Sequence, residues 1–325
     1  MRFPRRQFLH LAAGAVALPF APYVARAQAY PTRPVRIVVG YAPAGATDIL
    51  ARLLGQWLTE RLGQQFVIEN RPGAANNIAT EAVARAPADG YTLLLVNPAN
   101  AINTTLYEKL NFSFLHDITP VAGLIRVPNV MEVNPGVPAK TVPEFIAYAK
   151  ANPGKVNFGS GGSGTSVHMS GELFKMLAGI SMVHVPYRGA APAVTDLIAG
   201  QVQVVFDNLP GSIEYIRAGK LRALAVTTTV RSMSLPDVPV LADFVPGFEA
   251  SAWFGIGAPR GTPEDAVARL NHEINAGLAD ARLKARLEDM GGMLIAGSPA
   301  EFGKLVTDET EKWAKVVKFA NVKPE

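Results

Sequence analysis

The chain has 325 residues, with 31 basic side chains against 27 acidic ones and no cysteine, which excludes disulfides, thiolate metal sites and cysteine nucleophiles together. Four histidines lie beyond the N-terminal segment, His116, His168, His184 and His272. None stands three to five residues from another, as a zinc motif requires, so no metal site is expected.

Arg5 and Arg6 precede an apolar stretch from Leu9 to Phe20 and then Ala25-Arg-Ala27, the pattern of a bacterial signal peptide over residues 1–27 that directs the chain to the periplasm. Arg5-Arg-Gln-Phe-Leu9 is similar to a twin-arginine signature, while Pro4 before the pair leaves the Sec route open. Pro19 and Pro22 interrupt the apolar run, which is shorter than the roughly 20 residues of a spanning helix. Removal of the segment takes away Arg2, Arg5, Arg6 and Arg26 and no acid, leaving acidic and basic residues equal in number. The overall charge thus gives no reason to expect nucleic acid or a membrane surface as partner, and affinity for an anion must come from a local site.

Beyond the signal, short apolar runs alternate with helical patterns, which predicts an α/β fold with mostly parallel sheets. Val35–Val39 reads as a buried strand, and Ile49, Leu50, Leu53, Leu54, Trp57, Leu58 and Leu62 follow a 3.6-residue period. Residues 66–68 and 91–96 read as strands flanking a helix over 78–85. The alternation resumes with a helix over 142–151, a strand over 156–158 and a helix over 165–177. Residues 182–185, 190–199, 202–206, 213–218 and 221–226 continue it until the proline-rich stretch 236–246 breaks it. A strand over 253–258 and helices over 263–278, 281–290 and 299–319 complete the chain. This length suits two lobes: one from residues 28–125 plus 229–325, the other from 126–228, with crossings near Arg126 and Thr228.

Ligands of open parallel sheets sit beyond the strand ends, where helix N-termini present free N–H groups. Tyr41-Ala-Pro-Ala-Gly-Ala-Thr-Asp48 joins the first strand to the first helix; its small residues Ala44, Gly45 and Ala46 admit a ligand to the backbone, and Thr47 is placed to cap the helix. Gly159-Ser-Gly-Gly-Ser-Gly-Thr-Ser166 offers glycines and hydroxyls, with Ser160, Ser163, Gly164, Thr165 and Ser166 as candidate contacts and His168 as a donor or an interior histidine. Asn97 after the third strand, Asn76 in the run following Arg71, Tyr187 and Arg188 after a middle strand, and Asp207 after the next complete the candidate set, and the same residue types serve plain turns and caps. Gly159, Gly161 and Gly164 also satisfy G-x-G-x-x-G, so an exported NADP-dependent oxidoreductase is the rival reading. The nucleophile elbow fails at Ser163, where Thr165 replaces the second glycine.

Six segments occur in the order characteristic of one family: Tyr41 to Asp48, Glu69-Asn-Arg-Pro-Gly-Ala74, Ala88-Asp-Gly-Tyr-Thr-Leu-Leu94, Ser160 to Thr165 with His168, Val185-Pro-Tyr-Arg-Gly189 and Ala258-Pro-Arg-Gly-Thr-Pro263. From about Tyr30 onward the chain resembles the Bug, or TctC, family of extracytoplasmic solute receptors. The resemblance implies a type II periplasmic binding protein, a Venus flytrap whose lobes close about a hinge over a small carboxylate, held by the loops around Tyr41–Asp48 and Ser160–Ser166. It implies a monomer without cofactor or catalysis that serves a tripartite tricarboxylate transporter, or alternatively presents its ligand to a sensor protein. Ala44-Gly45 and Asn76-Asn77 stand where the family commonly carries paired glycines.

Overall fold

The computed structural model describes residues 30–320 and 322–324. The expected signal segment 1–27 and its end at Ala27 lie outside the described residues.

Short runs rich in Val, Ile and Leu form strands β1 (Val35–Val39), β2 (Phe66–Asn70) and β3 (Thr92–Val96). β1 lies between the other two and is parallel to both, the crossovers being helices α1 (Ala46–Leu62) and α2 (Asn77–Ala84). β9 (Ser251–Pro259) is added antiparallel to β3. In the other half, β5 (Asn157–Ser160) lies parallel to both β6 (Val183–Pro186) and β7 (Val204–Asn208). Helices α5 (Val142–Ala151), α6 (Ser166–Ala178), α7 (Ala190–Ile198) and α8 (Leu209–Arg217) belong to this half.

One strand joins the halves. β4 (Ile118–Val133) pairs antiparallel with β9 as far as Pro128 and with β10 (Met293–Leu294), then from Asn129 with β7 and β8 (Arg222–Val226). The strand order β2-β1-β3-β9-β4-β7-β5-β6 therefore runs through both lobes. The outer pairs are parallel, as the alternation of apolar runs and helices predicts; the pairs made by β4 and β9 are antiparallel. Pro120, Gly123 and Pro128 punctuate β4, and its register with β9 shifts near the first two, which is why no single strand is legible there. Helix α3 (Pro98–Leu106) is likewise an addition to the expected elements, as are the short α4 (Phe114–Asp117) and β10.

The first-lobe core packs Ile37, Leu50, Leu58, Leu93 and Phe254 with Leu270 and Ile274 of α9 (Glu264–Ala279), and Leu287 of α10 (Ala281–Asp289). The second-lobe core centres on Phe145, Phe158, Phe174 and Phe206. It also takes in Ile102 and Leu106 of α3, Val245 and Phe248, and Trp313 and Val317 of α11 (Pro299–Ala320). The other end of α11 packs Phe302 and Val306 against Trp253 in a core that includes Val38 and Leu94. One helix thus spans both lobes.

Candidate ligand-binding site

Five helices begin at one place. A cavity of about 30 Å³ between the lobes is lined by Ala46 and Thr47 of α1, Asn97 and Pro98 at α3, Thr165, Ser166 and Val167 at α6, Ala190 of α7 and Asn208 at α8, with Tyr41, Gly161 and Phe254 completing the wall. Such a volume holds about two waters, the size of a carboxyl group. The first-turn amides of Ala46, Thr47, Ser166 and Val167 make no backbone hydrogen bond. Each helix N-terminus carries roughly half a positive charge. The cavity is therefore electropositive although no Lys or Arg lines it, and it can take an anion without the desolvation cost of a buried formal cation.

Side chains hold these helix ends in place. Asn97 caps α3 by accepting from the Ala99 amide at 3.0 Å and also accepts from the Tyr41 hydroxyl at 3.3 Å, leaving its buried Nδ2 without a partner. Thr165 caps α6, accepting from the His168 amide at 3.2 Å while its hydroxyl donates to Gly162 O at 2.8 Å. Asn208 donates to Asn129 Oδ1 at 2.5 Å and to Ser166 Oγ at 3.2 Å, so the Ser166 proton is left to point elsewhere. Burial raises the Tyr41 phenol above its ordinary value, which keeps it neutral.

Beyond Tyr41 and Gly161 lies a second cavity of about 210 Å³, bounded by Gly40, Ala74, Ala75, Tyr107, Ser163, Tyr187 and Arg188 among others. Ser163 Oγ is buried there without a partner. The lobes meet beside it, where the Ala42 amide donates to Arg188 O at 3.0 Å. A Cβ on Gly164 would lie 2.3 Å from Asn103 Oδ1 and 2.7 Å from Leu106 Cδ2 on α3. The glycine-rich loop is seated on α3.

Of the sequence candidates, Tyr41, Ala46, Thr47, Asn97, Thr165 and Ser166 meet at the first cavity, and Tyr41, Ser163, Tyr187 and Arg188 at the second. The others stand behind the walls. Thr47 is not the cap expected of it, because α1 is capped by Gly45, which faces α7 with its Cβ position 3.7 Å from Ala191 N. The exposed Ala44 gives its amide to Asp48 Oδ2 at 2.9 Å, so it has none to offer a ligand. Asp48 also accepts from Arg52 at 2.8 Å and Asn70 at 3.0 Å; burial works against its charge, but these donors outweigh it and its carboxyl stays below the usual range. Asn76 packs on Gly40 and donates to Asn100 at 3.0 Å rather than facing the cleft. Gly164 donates its amide to His168 Nδ1 at 3.1 Å.

His168 and Ser160 support the glycine-rich loop from below. The His168 ring stacks on His184 with centroids 4.0 Å apart, and His184 Nε2 lies 2.6 Å from Ser160 Oγ. Burial, the His184 ring and Lys175 hold the His168 imidazole down at about 3, so it is neutral. Asp207 is fully buried beneath α8. Its neighbour Asn208, not Asp207, reaches the cavity, since successive strand residues face opposite ways. Pro98, Gly161, Val167, Ala190, Asn208 and Phe254 at the first cavity and Tyr107 at the second were outside the candidate set. The helix-start positions among them were available to sequence reasoning, whereas Phe254 in mid-strand and Tyr107 carry no local signal.

A family model described as tripartite tricarboxylate transporter family receptor, TctC, matches residues 50–322. The protein BugT of Bordetella pertussis is 37% identical over 300 residues, spanning 91% of this chain and 92% of that one. Among solved structures, R. palustris Rpa4515 with adipate is 40% identical with a TM-score of 0.89, covering 91% of this chain and all 100% of that one. MatC from Rhodopseudomonas palustris with bound malate is 33% identical with a TM-score of 0.84, over 89% and 100% of the two chains. Sequence and fold agree, and the chain belongs to the tripartite tricarboxylate transporter receptor family, TctC.

Proposed function

We propose that this protein is an exported periplasmic receptor that closes over a small organic carboxylate and presents it to the membrane subunits of a tripartite tricarboxylate transporter. The observation that carries the reading is the convergence of five helix N-termini on a cavity the size of a carboxyl group. One carboxylate fits there against the amides of Ala46, Thr47, Ser166 and Val167, and the rest of the solute passes Tyr41 into the second cavity, where Ser163, Tyr187 and Arg188 meet it. Most of residues 30–125 and 229–320 form one moving body and 126–228 the other; Ile102, Leu106, Val245, Phe248, Trp313 and Val317, which pack in the second core, travel with the latter. Adipate and malate in the related structures support the carboxylate class.

The glycine-rich loop favours this reading over a dinucleotide site. Its amides at Gly162 and Gly164 are used within the lobe, on Ser160 Oγ at 3.1 Å and His168 Nδ1 at 3.1 Å, whereas a pyrophosphate cradle keeps them free. Thermal-shift measurement of the mature protein against mono- and dicarboxylates, aromatic acids, amides and NADP tests the proposal. A dicarboxylate such as adipate is expected to raise the melting temperature and NADP to leave it unchanged; the reverse pattern rejects the receptor.

A further inference from the structure

Two carboxyl groups lie in the second lobe with no cation beside them among the described residues. Glu132 on β4 and Asp207 on β7 are both 0% exposed and face the underside of α8, where Ser212 stands. None of the four carboxyl oxygens, nor Ser212 Oγ, makes a well-formed hydrogen bond, although the Ser212 hydroxyl and the Asn208 amide lie near enough to favour the charged forms in part. The charged groups on the surrounding elements are engaged elsewhere: Asp48 with Arg52 on α1, Lys175 with Glu172 on α6, Asp196 with Tyr187 on α7, Arg217 with Glu214 and Asp289 at α8, and Glu309 of α11 with Arg126. Arg222 of β8 donates to the carbonyls of Val137 and Ala139, and His168 accepts from Gly164. A pair of buried acids so placed cannot both ionise at moderate cost.

The pair is also next to the first cavity. A Cβ on Gly211 would lie 2.6 Å from Asp207 Oδ2 and 3.4 Å from the Ala46 amide nitrogen, so only this glycine separates the carboxyl from the N-terminus of α1. An anion bound at that N-terminus and an ionised Asp207 would share the same positive end at close range.

We propose that the Glu132–Asp207 pair is a proton-binding site linked to solute capture, taking up a proton as the anion enters the cleft. This rests on the receptor reading above. Burial raises Asp207 to about 7, the nearby Asn208 amide and Ser212 offsetting it only in part, and burial followed by the Asp207 charge raises Glu132 well above its ordinary value. The sign follows by linkage: below the Asp207 midpoint the site is already neutral and affinity is full, and above it binding must pull in a proton and weakens by up to roughly tenfold per pH unit.

The test is titration calorimetry of the mature protein with adipate, or with the best carboxylate of the thermal-shift panel if adipate gives no shift, in buffers of different ionisation enthalpy. Proton uptake of about half a proton per solute at the Asp207 midpoint, rising toward one about a pH unit above it, with affinity falling as pH rises, is the expected result for wild type. Asp207→Asn should bind with the low-pH wild-type affinity at every pH and show no uptake, and Glu132→Gln should keep the dependence with a displaced midpoint. Without solute, Asp207→Asn should melt above wild type in mildly alkaline buffer and level with it in acid, which also establishes that the variant folds. Binding without buffer dependence, or an Asp207→Asn variant with an unchanged pH profile, overturns the proton linkage and leaves the receptor intact. A panel with no binder overturns the receptor reading and the linkage with it.

Discussion

A carboxylate occupies the first turn of the helix whose N-terminus faces the cleft, yet Asp48 does not spoil an anion site. Its oxygens are turned back onto Ala44, Arg52 and Asn70, so its charge is neutralised locally and the loop is fixed in the conformation that aims the amides of Ala46 and Thr47 inward. Because its carboxyl is held below 3.8, the stability it supplies is present above that value and is lost as pH falls through its folded midpoint. Asp48→Ala should therefore cost about 1–3 kcal/mol at neutral pH, and the gap from wild type should close in acid; urea denaturation at a series of pH values measures it. At this scale the sequence reveals residue types better than directions. Asp207 and Asn208 are adjacent and equally polar, and only the end of β7 decides that Asn208 reaches the cavity while Asp207 is buried. Ala44 likewise sits in the right loop, but its amide is already taken.

The glycine-rich loop and the helix it opens act as one element. Thr165 ties the helix start to Gly162 and to the His168 amide, so Thr165→Ala should lower stability by about 1 kcal/mol and weaken solute binding by more than that loss alone predicts. Denaturation and calorimetry on the same variant separate the two effects. Gly164 has a sharper role. With φ at +85° and α3 pressed against its Cα, Gly164→Ala should strain the loop and lift it off α3, sharply weakening solute binding while circular dichroism is unchanged; a variant that binds as wild type shows that the loop need not seat on α3. The strand-helix alternation was legible because each parallel unit carries its own apolar run and amphipathic helix. β4 was not, since two prolines and a glycine hide a strand that partners on both sides hold in place.

The crossings decide how the molecule can move. Asn129 of β4 and Thr227 are bound to each other, the Thr227 amide to Asn129 O at 2.9 Å and the Asn129 amide to Thr227 Oγ1 at 2.9 Å. The two strands must therefore twist together. Just before the crossing, Arg126 donates to Ser251 at 2.8 Å and to Glu309 at 3.4 Å, and Glu309 accepts from Trp313 at 3.0 Å. Glu309→Gln should weaken this junction by roughly 1–3 kcal/mol and enlarge the unliganded molecule, with a solution-scattering radius of gyration above wild type that contracts when solute is added. An unchanged radius shows that the junction does not set the resting angle.

Helix α11 adds a restraint of another kind. Anchored by Phe302 at one end and Trp313 at the other, it crosses the seam as a single rod. A rod fixed to both jaws of a clamp sets a stop: the jaws can part only as far as the rod can bend, unless one anchor lets go. The range of gape is thus written into the last helix, well away from the site where the solute is held.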